Sequence, residues 1–283
     1  MSAYVLELTP TVAVPRLLMR IILVFSVTLF TILYGESLRA QPWQSADPAS
    51  VGWSAEGLKE AQTYAASLKP TAVMVVQDGK VIAAWGDTSH KVNVASIRKR
   101  LLSALYGIAI SEGRISLGTT LAELGIDDKP PALTDAEKHA TVRDLLMARS
   151  GIYHPAAYET GDMRRNRPER GSNQPGSFWW YNNWDFNALG TIYRQQTGED
   201  IFQSFAQRIA APIGMEDFSA RDGRYVAERQ SKHSAYPFSL SARDAARFGQ
   251  LFLNAGRWGD KQVVPAAWVP KCRTLTYQGR RPS

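Results

Sequence analysis

Four residues stand out by type and spacing. Ser96 and Lys99 lie three apart in Ser96-Ile-Arg-Lys99, where an apolar helix begins, so both side chains fall on one helical face. A serine hydroxyl is a weak nucleophile until a base takes its proton. A lysine serves as that base only once burial or a nearby charge lowers its pKa. Backbone N–H groups at the start of the same helix can hold an oxyanion. The chain contains no other Ser-x-x-Lys. The plainer alternative is a solvated first turn that happens to carry both residues, since so short a motif arises by chance.

Tyr181-Asn-Asn183 adds two more groups in the chain's single Tyr-x-Asn. A tyrosine hydroxyl can relay protons between nucleophile and leaving group. The Asn183 amide can accept from Lys99 and donate to a substrate carbonyl. The competing role for Tyr181 is structural, in an aromatic patch with Phe178, Trp179, Trp180 and Trp184. His154 has the same two faces, rim of a cleft or hydrogen-bonded structural histidine. Neither it nor His90, His139 and His233 shows metal-ligand spacing, and Cys272, the one cysteine, forms no cysteine cluster or intrachain disulfide. No metal and no organic cofactor is expected. No G-x-S-x-G, G-x-x-x-x-G-K-[ST] or G-x-G-x-x-G occurs, so an α/β-hydrolase elbow and nucleotide binding are unsupported.

The elements that must position these groups are legible in outline. Residues 71–87 read as a β-hairpin about Asp78-Gly79. The Ser96 helix follows, with Ile97, Leu101, Leu105 and Ile108 at helical spacing and an end near Gly113. Thr141 is the expected N-cap of the next helix, with Gly151 beyond its last turn. Residues 160–177 are a Pro/Gly/Arg-rich loop that either edges the site or is an exposed connection. A helix closing at Gly198 and another over 200–214 come next. Ser241 and Asp244 form a possible capping box before a further apolar helix.

These residues and the text between them resemble the penicillin-recognising serine hydrolases, nearest to class C β-lactamases and related esterases and linear-amide hydrolases. The resemblance runs from about Pro48 to about Val269. It rests on Ser96-Ile-Arg-Lys99, on Tyr181-Asn-Asn183, and on "TVRDLLMARSGI", "NNWDFNALGTIY" and "LSARDAARFGQLFLNAGRWGDKQVVPAAWV". It implies an α+β fold of the β-lactamase/DD-peptidase type. An antiparallel sheet would be flanked by helices and pack on the Ser96 helix, with a mostly helical lobe over about 119–234 and the site between them. It implies an acyl-enzyme mechanism on a small-molecule amide or ester. Ser96 attacks, Lys99 and Tyr181 handle protons, Asn183 positions substrate, and water releases the acyl group. Whether Lys99 or Tyr181 is the acylation base stays open. A β-lactam, a D-amino peptide, an ester and a linear amide all fit.

The family's third motif, Lys-Thr-Gly or a His-x-Gly equivalent, lies on a strand beside the nucleophile that also supplies the second oxyanion N–H. Nothing after Asn183 matches it, and "TYQGRRPS" ends the chain without a strand-like pattern. The expectation is therefore a domain, residues 41–283, incomplete at its C-terminus, with an open hairpin edge. The alternative to an active hydrolase is a defective or ligand-binding remnant.

At 283 residues, 45% hydrophobic and 21% charged, the chain suits one large domain or two intimate ones. Its net charge of +7 comes with no nucleic-acid motif, so no nucleic-acid partner is expected. The basic clusters at 164–170 and 271–283 read as solvated loops. Residues 21–34, "IILVFSVTLFTILY", are an apolar run behind Arg16 and Arg20, too short to span a membrane comfortably. They fit the core of a signal peptide over residues 1–40, with Met19 a possible start and cleavage near Ala40. Export to a periplasm is expected, without membrane association after cleavage; an uncleaved anchor is the alternative.

Overall fold

A computed structural model describes residues 42–274. The signal-like run at 21–34 and the segment "TYQGRRPS" lie outside them. Among the described residues, no helix is long and apolar enough to cross a membrane.

Helix α1 (Ala55–Ser67) starts behind Ser54, whose hydroxyl accepts from the Gly57 N–H, and it buries none of its residues. Strands β1 (Ala72–Gln77) and β2 (Lys80–Gly86) pair antiparallel. Asp78 and Gly79 join them with φ of +50° and +75°, the double left-handed geometry that two-residue hairpins favour. The register slips between Val75 and Val76, which leaves Ile82 unpaired as a bulge, with its side chain buried. β1 packs mainly on the helix over Ala242–Leu253 rather than on the Ser96 helix expected to carry the sheet.

Strand β3 (Val92–Asn93) leads into a 3₁₀ turn, Ala95–Ile97, and then into α2 (Arg98–Ser111). Leu101, Leu105 and Ile108 are buried as expected, but Ile97 is 50% exposed because it belongs to the turn and not to the helix. Two short helices, α3 (Asp135–Lys138) and α4 (Val142–Leu146), each begin with a full capping box, Thr134 with Glu137 and Thr141 with Asp144. α5 (Gly161–Arg165) lies within the segment expected to be a loop, nucleated by Thr160 as N-cap. α6 (Trp184–Thr197) closes at Gly198, where φ is +68°. α7 (Ile201–Phe205) is capped by Asp200 and runs on into a π-helical turn, Ala206–Ala210.

Strand β4 (Ser239–Leu240) returns to pair antiparallel with β3, matching Val92 to Leu240 and Asn93 to Ser239. Helix α8 (Ala242–Leu253) follows, then the small hairpin β5 (Arg257–Trp258) and β6 (Lys261–Gln262), and finally α9 (Trp268–Thr274). The Ser241 capping box is only half formed. Ser241 Oγ accepts from the Asp244 N–H, but the buried Asp244 carboxylate accepts instead from the backbone N–H groups of Glu216, Asp217 and Phe218. Three backbone donors held by one carboxylate outweigh a single return bond to a cap.

The fold is α+β, with helices around short antiparallel sheets. One core joins α2, α4, α6 and α7 through Leu101, Leu105, Leu145, Trp184, Leu189 and Phe205. α9 docks on α2 at Gly107. Trp268 lies over that glycine and donates its indole N–H to the Ser103 carbonyl, 2.7 Å away. A Cβ at Gly107 would fall 2.4 Å from the Trp268 ring. Gly107→Ala is therefore expected to displace Trp268 and destabilise the protein by about 1–3 kcal/mol in urea unfolding; an unchanged midpoint would show that α9 does not hold α2.

Candidate active site

The approach to Ser96 is a sharp, side-chain-braced turn. Asn93 ends β3, its Oδ1 accepts from the Ala95 N–H at 2.8 Å, and its Nδ2 donates to the Tyr158 hydroxyl at 2.7 Å. Ala95 is held at φ +45°, a conformation that costs a non-glycine residue of order 1 kcal/mol or more. Tyr158 and Ala148, two other residues of this neighbourhood, also have positive φ, +67° and +53°. Backbone strain thus gathers around Ser96, as it tends to at working sites. The Ser96 residue itself is exposed, in the 3₁₀ turn, with Lys99 one turn on in α2.

Lys99 is 7% exposed. Its Nζ donates to the Tyr181 hydroxyl at 2.5 Å and to Asn183 Oδ1 at 2.8 Å, and lies 4.7 Å from the Phe186 ring centroid. Asn183 Nδ2 in turn donates to the Tyr158 carbonyl, which fixes the amide's orientation. The structure thus brings Lys99, Tyr181 and Asn183 into direct contact. Ser96 shares with Lys99 and Tyr181 the wall of one cavity of about 310 Å³. Apolar side chains form most of the rest of that wall, among them Ile97, Leu102, Leu146, Trp179, Phe186 and Leu189.

Burial, reinforced by the charge of Arg98, lowers the Lys99 pKa to about 6, against an opposing pull from Asp185. The amine is therefore mostly neutral at pH 7 and able to accept a proton. Asp185 is fully buried, and burial raises its carboxyl to about 7. Ser150 Oγ donates to its Oδ1 at 2.5 Å, while its Oδ2 has no hydrogen-bond partner.

Of His154, residues 160–177 and Cys272, only Cys272 reaches the cavity. His154 is buried behind the site, its ring 6.2 Å from that of Trp184 and its Nε2 3.9 Å from Glu137 Oε1, so it does not rim a cleft. Residues 160–177 supply none of the cavity-lining side chains. Their basic cluster is partly paired rather than merely solvated: Arg170 holds Glu137 through two bonds, at 3.0 and 2.7 Å, and Arg167 holds Glu159. Cys272 lines the cavity, 3.2 Å from Ser103 Oγ, and burial pushes its thiol pKa up, which keeps it protonated. Among the described residues, no group of His, Cys, Asp and Glu is arranged to hold a metal.

Sequence reasoning missed Asn93, Tyr158, Asp185 and Arg98. One signal was available for the last. The first turn of α2 holds Arg98, Lys99 and Arg100 and no acid, the reverse of what a helix N-terminus favours.

The β-lactamase family model matches residues 60–280. The chain belongs to the β-lactamase family. Its members are serine hydrolases, and the solved structures agree on the fold. A β-lactamase/D-alanine carboxypeptidase from Pseudomonas syringae superposes with a TM-score of 0.54 at 17% identity, over 75% of this chain and 68% of that one. An octameric penicillin-binding protein homologue from Pyrococcus abyssi gives 0.55 at 17% identity, over 77% of this chain and 60% of that one. At such identities the likeness speaks for fold alone. A curated D-aminopeptidase from Brucella anthropi is 27% identical over 173 residues, 51% of this chain. The match spans only 31% of that relative's length.

Proposed function

We propose that this β-lactamase-family chain is an exported serine hydrolase that opens an amide or ester bond through an acyl-enzyme on Ser96. The observation that carries this reading is the Lys99 amine, buried, neutral near pH 7 and bonded to Tyr181 and Asn183, one turn from Ser96 on the wall of a common cavity. The Ser96 O–H bond breaks as its proton passes to the Lys99–Tyr181 pair, and Oγ bonds the substrate's carbonyl carbon. The C–N or C–O bond then breaks, and the leaving group takes up a proton from the same pair. Water repeats the sequence on the acyl-enzyme and frees the acid. Asn183 positions the substrate, and N–H groups of the first turn stabilise the oxyanion.

The substrate is a small molecule. The D-aminopeptidase relative favours an amide, and the apolar cavity wall favours an uncharged substituent next to the carbonyl. The apolar run at 21–34 supports export to a periplasm.

A fluorophosphonate tests the reading without knowledge of the substrate. After treatment and proteolytic mapping, the adduct is expected on Ser96. Its rate of formation should rise with pH through about 6, as Lys99 loses its proton, and then level off. A folded sample with no adduct, or with the adduct on another serine, would overturn the acyl-enzyme reading in favour of a ligand-binding role.

A further inference from the structure

Arg98 is 1% exposed, yet no carboxylate neutralises it among the described residues. Its Nη2 donates to the neutral amide oxygen of Asn187 at 2.9 Å, its guanidinium carbon sits 4.3 Å from the Tyr236 ring centroid, and its Nη1 has no hydrogen-bond partner. Buried arginines are normally paired, because an uncompensated charge is costly to bury. This one sits in the first turn of α2, where the helix dipole is already positive, one residue from Lys99.

We propose that Arg98 is a positioning residue for the reaction: its unneutralised guanidinium disfavours a second positive charge next to it and so keeps the Lys99 amine free to take the Ser96 proton. The inference rests on Lys99 acting in acylation as described above. Asn187 is part of the device, since it satisfies one guanidinium N–H without bringing a negative charge. Asn187 is held in turn, its Nδ2 donating to the Ala157 carbonyl at 3.0 Å.

The other groups facing Lys99 do not replace this effect. Tyr181 and Asn183, from the segment before α6, accept from Nζ through a hydroxyl and an amide oxygen. The rings of Tyr181 and Phe186, 3.9 and 4.7 Å from Nζ, favour the ammonium form. Asp185, from α6, opposes it only once ionised, and burial keeps that carboxyl largely protonated near pH 6. Arg100, on α2 itself, turns to the Cys272 carbonyl. Burial and Arg98 are what remain to hold the amine neutral.

The alternative is that Arg98 is a peg between Tyr236 and α6 and nothing more. The pH profile of Ser96 labelling separates the two. Arg98→Gln removes the charge, and Asn187→Asp leaves the arginine in place but supplies a countercharge. Both are expected to move the acid limb of the labelling rate upward by about one pH unit. Labelling would then be about fivefold slower than the parent at pH 6, about tenfold slower at pH 5, and within about threefold of it at pH 9. Arg98→Lys should keep the parent's limb. A slowdown by the same factor at every pH, or a limb that stays in place, overturns the proposal. Asn187→Asp carries the test if Arg98→Gln does not fold. Titration of the Lys99 Cε resonance in the parent is a further route to refutation: an amine titrating near its ordinary value overturns the proposal. A folded parent that does not label at Ser96 overturns the functional reading itself, whereas a labelled parent with unmoved variants overturns only the role of Arg98.

Discussion

Lys99→Met is expected to give a protein that labels at Ser96 about 10²–10⁴ times more slowly than its parent and is nevertheless the more stable of the two. On the proposed mechanism, the loss of rate follows from removing one member of the Lys99–Tyr181 pair that receives the Ser96 proton. The gain in stability follows from the Lys99 environment. The amine is protonated in the unfolded chain up to a pKa near 10.5 but titrates at about 6 once buried. Folding at pH 7 therefore strips a proton from it, at a cost of roughly 5 kcal/mol. Methionine is similar in length and uncharged, so it escapes that cost but forfeits the bonds to Tyr181 and Asn183, about 1 kcal/mol each. A net gain of about 2–4 kcal/mol in urea unfolding at pH 7 is the expected balance.

The sign of the pH dependence is distinctive. A base whose folded pKa is depressed burdens the native state below that pKa, and the burden is lifted as pH rises toward the unfolded value. The stability gap between Lys99→Met and its parent should thus narrow by about 1.4 kcal/mol per pH unit between pH 7 and 9. A variant less stable than its parent at pH 7, or a gap that does not narrow, would mean that Lys99 is not held as a neutral amine. A protein that gives up this much stability to keep one amine unprotonated does so where function requires it.

Local chemistry explains which parts of the fold and the site are legible from the sequence. The hairpin at 72–86 can be read because Asp78-Gly79 accepts two left-handed residues in succession, a demand that few residue pairs meet. Thr141 and Gly198 can be read because helix ends impose their own side-chain preferences. Ser96 and Lys99 can be paired because one helical turn fixes their separation. What escapes is set by contacts across the chain. Asn93 braces the Ser96 turn through Tyr158, 65 residues away. Asp244 looks like half of a capping box and instead gathers the N–H groups of residues 216–218. Arg98 reads as a surface residue by type, and only the meeting of α2 with α6 and Tyr236 buries it. Ile97 leaves the apolar stripe that its spacing suggests because the chain enters α2 through a 3₁₀ turn, which shifts the helical phase.

Asp185→Asn should change stability with the opposite pH dependence to Lys99→Met. The carboxyl is fully buried, one oxygen taken by Ser150 and the other without a partner, and burial raises its pKa to about 7. An acid whose folded pKa is raised favours the native state fully below its unfolded value, near 3.8, and loses that advantage as pH climbs through 7. Asparagine has nearly the same shape as the protonated carboxyl and keeps an oxygen for Ser150. At pH 4 parent and variant are therefore expected to agree within about 1 kcal/mol. At pH 8 the parent must bury a carboxylate and the variant need not, which makes Asp185→Asn the more stable by about 4 kcal/mol in urea unfolding. The acid limb of Ser96 labelling, near pH 6, should barely move, because Asp185 is still largely protonated where Lys99 titrates. Equal stabilities at pH 8 would mean that Asp185 ionises without penalty. A limb displaced downward would mean that its negative charge already acts on Lys99 at pH 6, and that the balance at this amine is struck between Asp185 and Arg98 rather than by burial and Arg98 together.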